Sequence, residues 1–117
     1  MIAIEEKGNL LEVGVYGELT LGDYRRLEVA VSNEIMTGAP KVKLLLDLTR
    51  MTGFTLDVAW EEIKFTRAHA HDFRRIAIVA PDQWAPWISW VSAAFTDAEV
   101  TLFEDLETAE AWLREER

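Results

Sequence analysis

The feature that most constrains the fold is the run of residues 42–48, which is apolar at every position except Lys43 and Asp47. An unbroken apolar strand is covered on both faces, and such strands belong to parallel or mixed sheets. Residues 75–80 form a second run of the same kind after an intervening helical segment. Two buried strands joined through a helix predict an α/β layer fold with right-handed crossovers.

Local periodicity completes the order of elements. Period-two alternation or short apolar runs predict strands at residues 2–5, 10–16, 42–48, 75–80 and 100–103, and helical spacing predicts helices at residues 20–36, 57–72, 82–95 and 106–117. We predict that Gly17 ends the second strand, and that Thr20 and Asp23 form a capping box for the first helix. The order is ββαβαβαβα, with about five strands and four helices in a single domain spanning residues 1–117.

The segment after the central strand is the predicted place for a binding site. Residues 49–55 are predicted to be a loop with Gly53 as its hinge, and Asp57 is predicted to be the N-cap of the next helix. Ligands of such sheets bind beyond the carboxyl ends of the strands, which is where this loop lies. We interpret Asp47, at the end of the strand, as a cap for N–H groups of the loop rather than as a catalytic acid.

The chain resembles the SpoIIAA-like proteins, which are relatives of the STAS domain of anti-sigma-factor antagonists. The carrying segments are residues 44–48 (LLLDL), Phe54, residues 56–60, residues 73–79 (FRRIAIV), and Trp84 with Trp87. The resemblance implies a mixed sheet with helices wound around it in nearly sequential order. For the SpoIIAA-like branch it also implies binding of an apolar ligand or association with a membrane.

One part of the antagonist pattern is missing here. In antagonists a strand ending in Asp-Leu-Ser leads to an Asp-Ser-Ser-Gly helix start, where a serine accepts phosphate from a kinase. Residues 47–49 match the first part, but Thr55, Leu56 and Asp57 occupy the phosphoacceptor region without a serine. The resemblance therefore implies a module that lacks the usual phosphorylated residue.

The predicted third helix contains three tryptophans and no charged residue between Asp82 and Asp97. Its large apolar residues follow one helical stripe, with Trp90 beside it; they are Trp84, Trp87, Ile88, Val91 and Phe95. Four environments fit this pattern: plain core, a pocket against the preceding helix, a membrane interface, or a dimer seam.

Two functional hypotheses follow. In the first, the protein is a non-enzymatic domain that binds an apolar or amphipathic, lipid-like molecule, with a peripheral membrane contact. The predicted lining is Trp60, Phe65, Trp84, Trp87 and Trp90, and the predicted cationic rim, on one helix face, is Lys64, Arg67 and His71. In the second, it is a STAS-type regulatory module whose protein partner is bound by Asp47, Thr49, Phe54, Thr55 and Asp57.

Other functions are disfavoured by composition and motif. A net charge of −9 opposes nucleic-acid binding. We expect no metal or cofactor, because the chain has no cysteine, His69 and His71 diverge on a helix, and no phosphate loop is present. We also find no nucleophile elbow or other enzyme signature. We expect a cytoplasmic protein, since residues 1–6 do not resemble a signal peptide and no apolar stretch approaches the ~20 residues of a membrane span.

Overall fold

The computed structural model of the chain describes residues 1–7, 10–36, 42–55, 57–58, 61, 73–81, 83, 85–86 and 99–115. Its strands are β1 (Ile2–Lys7), β2 (Leu10–Leu19), β3 (Val42–Phe54), β4 (Phe73–Val79) and β5 (Glu99–Phe103), and its helices are α1 (Leu21–Met36) and α2 (Leu106–Arg114). Helical positions also occur at residues 57–58, 61 and 85–86, where the second and third helices were predicted. Residue 83 is a 3-10 position, and the remainder of those two predicted helices lies outside the described residues.

The strands form one mixed sheet in sequential order. The strand order is β1-β2-β3-β4-β5. β1 pairs with β2 in antiparallel orientation, and the pairs β2–β3, β3–β4 and β4–β5 are parallel. Parallel neighbours require crossover connections, and α1 supplies the one between β2 and β3. The predicted five-stranded mixed sheet is confirmed.

Both faces of the central strand are buried, as the apolar run predicts. Leu44 and Leu48 belong to the main core on the α1 side, where they join Leu27 of that helix. Leu45 points to the other face and packs in a smaller cluster with Leu113 of α2. Because successive strand residues face opposite sides, both clusters are built from the same short run.

β2 is longer than predicted, because Gly17 does not end it. Gly17 has a φ of 70°, in the left-handed region that glycine adopts without steric penalty. The register between β2 and β3 shifts between Gly17 and Glu18, and pairing then continues to Leu19. One step of β2, from Gly17 to Glu18, faces two steps of β3, from Met51 to Gly53, so the bulge is on β3 at Thr52 and Gly17 lies opposite its start.

β3 is also longer than predicted, and the expected loop at residues 49–55 is wrong for most of its length. The strand continues to Phe54, which pairs with Leu19. Gly53 pairs with Glu18 and does not act as a hinge. The local sequence resembles a loop, but the extended neighbouring strand supplies backbone partners that keep these residues in the sheet.

The start of α1 confirms the predicted capping box. The backbone N–H of Asp23 donates to Thr20 Oγ1 at 3.3 Å, and the backbone N–H of Thr20 donates to Asp23 Oδ2 at 3.4 Å. The Met1 ammonium also donates to Asp23 Oδ2, at 2.9 Å. This ammonium, more than the bonds from Thr20, holds the pKa of Asp23 below its ordinary value against the opposing effect of burial.

Arg75 joins α2 to the sheet. Its side chain is nearly buried on β4, and its Nη1 donates to the backbone carbonyl of Trp112 at 2.6 Å. Its guanidinium carbon lies 4.7 Å from the centre of the Trp112 ring, while Nε is 3.9 Å from the exposed Glu99 carboxylate. A cation is favourable at this position because the carboxyl end of a helix carries partial negative charge.

Candidate partner-binding site

The predicted ligand-binding residues lie outside the described residues. They are Trp60, Phe65, Trp84, Trp87, Trp90, Lys64, Arg67 and His71. The hypothesis of an apolar ligand therefore stays a prediction. None of the helices within the described part of the chain is long and apolar enough to span a membrane.

All the residues of the alternative, partner-binding set are described. They are Asp47, Thr49, Phe54, Thr55 and Asp57. The structure does not gather them into one pocket, because Asp47 and Phe54 are separated by about 23 Å of strand at about 3.3 Å per residue. Instead they follow the carboxyl half of β3 and the turn after it, as an elongated surface that extends from the α2 side of the sheet, at Asp47, to the α1 side, at Phe54.

This surface is carried by a two-stranded extension of the sheet. β4 pairs with β3 only as far as Asp47, whereas β2 remains paired with β3 through Phe54. We call residues 16–19 of β2 and residues 48–54 of β3 the ribbon. In the ribbon, β3 extends beyond the last residue that pairs with β4. The polar side chains of this part of β3 are therefore not covered by β4.

Burial at both ends keeps the ribbon in position. Met51 packs in the main core, and so does Val58, the first helical position after Asp57. Between them Thr52 is exposed and Phe54 is half-buried against the same core. An anchored backbone with exposed side chains is the arrangement that protein-recognition surfaces require.

Local hydrogen bonds occupy Asp47. Its Oδ1 accepts from the backbone N–H of Thr49 at 3.1 Å and from the hydroxyl of Thr49 at 2.7 Å. This confirms that the carboxylate caps the following backbone. Both bonds keep the exposed Thr49 in one orientation on the surface.

A compact turn connects the ribbon to the next helix. The backbone N–H of Thr55 donates to the carbonyl of Leu19 at 3.2 Å, and the carbonyl of Thr55 accepts from the N–H of Val58 at 3.1 Å. The hydroxyl of Thr55 donates to a carboxylate oxygen of Asp57. Asp57 is already helical, so its prediction as the N-cap is wrong: the turn is closed at Thr55, and the cap precedes Asp57.

Asp57 is nevertheless well placed electrostatically. It is exposed in the first turn of its helix, where the positive end of the helix dipole favours a negative group. The threonine–aspartate pair therefore presents a fixed anion and a hydroxyl at the end of the ribbon.

The sequence interpretation missed an acidic groove on the α2 side of the sheet, where Asp47 of the candidate site contributes to its lining. It has a volume of about 360 Å³ and lies between the first two strands and the start of α2, with Asp47 in its wall beside Glu5 and Glu12. Tyr16 folds over Gly14 at its rim. The signal was the alternation of small and acidic residues in β1 and β2. Within the described residues, no group of three or more His, Cys, Asp or Glu side chains is placed to hold a metal.

The sequential mixed sheet, its two covered faces and the strand-to-helix turn define the class: this is the STAS fold of anti-sigma-factor antagonists. Within that class, the profile of the SpoIIAA-like family matches residues 10–114. The chain therefore belongs to the SpoIIAA-like family. No curated protein matches its sequence.

Solved structures agree with this assignment. An uncharacterized protein from Shewanella loihica with a SpoIIAA-like fold is 30% identical, with a TM-score of 0.74 over 97% of this chain and 92% of that one. Phosphorylated SpoIIAA, a Bacillus cell-fate determinant, is 16% identical, with a TM-score of 0.61 over 97% and 100%. An anti-sigma-factor antagonist from Mycobacterium paratuberculosis is 17% identical, with a TM-score of 0.59 over 98% and 94%. At such identities the last two likenesses concern the fold alone.

Proposed function

We propose that this protein is a non-enzymatic regulatory module that binds a protein partner through the end of the ribbon and the helix start after it. The observation that carries the proposal is the hydrogen-bonded pair of half-buried Thr55 and exposed Asp57. It stands at the end of an anchored ribbon, in the region where the resemblance to antagonists places the phosphorylated serine. The antagonist function of the structural neighbours supports a partner of the regulatory kind.

The chemistry of the surface suggests how the partner is bound. Phe54 offers a half-buried ring as an apolar anchor, and the exposed Thr52 and Asp57 provide a polar surround. An apolar centre within a polar rim is the usual anatomy of a protein interface. Because Asp57 supplies its negative charge without a kinase, we expect recognition that does not depend on phosphorylation of this turn.

Arg50 allows a matched test. It is exposed on the ribbon, and its side chain makes no hydrogen bond or ion pair within the described residues. We expect Arg50→Glu to abolish capture of the partner in a quantitative pull-down, because an exposed charge reversal alters the surface without disturbing the core. Arg114→Glu is the control, since it makes the same change at an exposed position of α2.

Two results would decide against this function. If Arg50→Glu and Arg114→Glu retain the same proteins as the wild type, the ribbon is not the binding surface. If dodecanoate gives a saturable shift in tryptophan emission, the apolar-ligand hypothesis is favoured instead, because a partner module predicts no such shift.

A further inference from the structure

The outward side of α1 carries a row of residues that the fold does not use. Five exposed residues follow one another at steps of four, three, four and three: Gly22, Arg26, Val29, Asn33 and Met36. Val29 is 59% exposed and Met36 is 82% exposed, whereas Leu27 and Val31 on the opposite side are buried. Alternating steps of three and four place side chains along one line of a helix, which is the spacing of a seam between two helices. We call these five residues the outer stripe.

A groove runs beside the outer stripe. It has a volume of about 400 Å³ and lies between α1 and β1, where Ile4 and Glu6 contribute to its lining together with Arg25 and Arg26. Within the described part of the chain, the side chains of Arg25, Arg26 and Glu6 make no hydrogen bond or ion pair. Side chains of opposite charge therefore line the same groove without forming an ion pair, in a chain whose net charge is −9.

We propose that the outer stripe is the interface of a homodimer, in which α1 of one copy packs antiparallel against α1 of a second copy about a two-fold axis at Val29. In this arrangement Gly22 faces Met36 of the second copy, so that the smallest residue of the stripe meets the largest. Arg25 faces Asn33 of the second copy, whose amide oxygen accepts hydrogen bonds. The interface is self-complementary, as a two-fold axis requires.

Electrostatics favours this direction of packing. The last turn of α1 contains no basic residue, so the negative end of its dipole has no cation on its own helix. Antiparallel packing places Arg25 and Arg26 of each copy near that end of the other helix. Parallel packing would instead bring the four arginines of the two copies together. The outer stripe itself contains no carboxylate, which lets two acidic chains approach each other there.

The absence of cysteine from the chain makes the geometry testable by disulfide formation. Gly22 and Met36 are about 21 Å apart along the helix, at about 1.5 Å per residue, and a disulfide needs Cα atoms within about 7 Å. We therefore expect Val29→Cys to cross-link to itself. Gly22→Cys and Met36→Cys should cross-link to each other when mixed, but not each to itself. A Cβ at Gly22 meets nothing closer than 4.0 Å, so the cysteine fits.

A second test uses the unmodified interface. We expect Val29→Lys to weaken dimerisation roughly tenfold or more in sedimentation velocity, since it places two like charges at the axis. Leu102→Lys is the matched control, because Leu102 is a 38% exposed apolar residue on β5, away from α1. A wild-type protein that remains monomeric at its highest soluble concentration would overturn the proposal. So would strong self-cross-linking of Gly22→Cys. Arg50→Glu should leave the mass unchanged, which separates this proposal from the proposed function.

Discussion

Replacing Gly17 with alanine tests whether the left-handed backbone of this residue, opposite the β3 bulge, maintains the ribbon. Gly17 has a φ of 70°, and an added Cβ would meet no atom within 4 Å. Steric contact is therefore not at issue, and any destabilisation comes from the backbone conformation alone. Since the pairs beyond Gly17 hold Gly53 and Phe54 of β3 in the sheet, strain at Gly17 bears directly on the candidate site.

The magnitude follows from two opposing effects. A left-handed conformation costs an L-residue about 1–2 kcal/mol. Alanine also reduces the conformational entropy of the unfolded chain, which stabilises the protein by about 0.4–1 kcal/mol. We therefore expect Gly17→Ala to lower the free energy of unfolding by about 0–1.6 kcal/mol.

Gly53 provides the matched control on the neighbouring strand. It pairs with Glu18, its φ is not positive, and an added Cβ there also meets nothing within 4 Å. We expect Gly53→Ala to raise the free energy of unfolding by about 0.4–1 kcal/mol through the unfolded state. Because both variants share that gain, the difference between them isolates the strain at Gly17, about 1–2 kcal/mol.

Urea unfolding followed by circular dichroism measures this difference, provided that the denaturant dependence is the same in both variants. Equal stability of the two variants, or a more stable Gly17→Ala, would refute the requirement for glycine at this left-handed position. In that case the backbone of Gly17 would no longer explain how far the ribbon extends.

Three further predictions concern stability. Arg75→Ala should lower the free energy of unfolding by about 2–3 kcal/mol, because it removes a charged hydrogen bond and a cation–π contact while relieving part of a desolvation cost. Arg114→Ala, which breaks an exposed ion pair, should lower it by about 0.5 kcal/mol or less. Equal losses in the two variants would contradict the role of Arg75. Val58→Ala should lower the free energy of unfolding by about 2–3 kcal/mol in the same urea assay, since the side chain of Val58 is fully buried. A loss below about 1 kcal/mol would show that Val58 does not anchor the helix start. The Met1 ammonium and the hydrogen bonds from Thr20 hold the pKa of Asp23 below its ordinary 3.8. The stability advantage of the wild type over Asp23→Asn should therefore be complete above about pH 4 and should shrink as the pH falls through the lowered pKa. An unchanged stability difference between pH 6 and pH 3 would contradict this sign.

Much of the architecture was readable from local pattern. The apolar run at residues 42–48 predicted a strand covered on both faces, and Leu44 and Leu45 do lie in opposite clusters. The capping box of Thr20 and Asp23 was predicted from two residue types three positions apart, and it is formed. Periodicity and capping depend on neighbours close in the chain, which is why such features can be read without coordinates.

The candidate site was predicted less completely. Its five residues were named from a resemblance, but their setting was taken to be a loop closed by an N-cap at Asp57. The structure gives a strand through Phe54 and a turn closed at Thr55. Neither the strand extension nor the acidic groove beside Asp47 follows from residues adjacent in sequence.

The sequence by itself determined the class of fold, the position of the central strand and the family of the protein. Those depend on burial patterns that repeat every two or every three to four residues along one chain segment. Only the tertiary structure decided how far β2 and β3 extend and which side of α1 is left exposed. Strand length is set by the hydrogen bonds of a partner strand, and helix exposure by what packs against it. Both are interactions between residues far apart in the chain, which a local pattern does not encode.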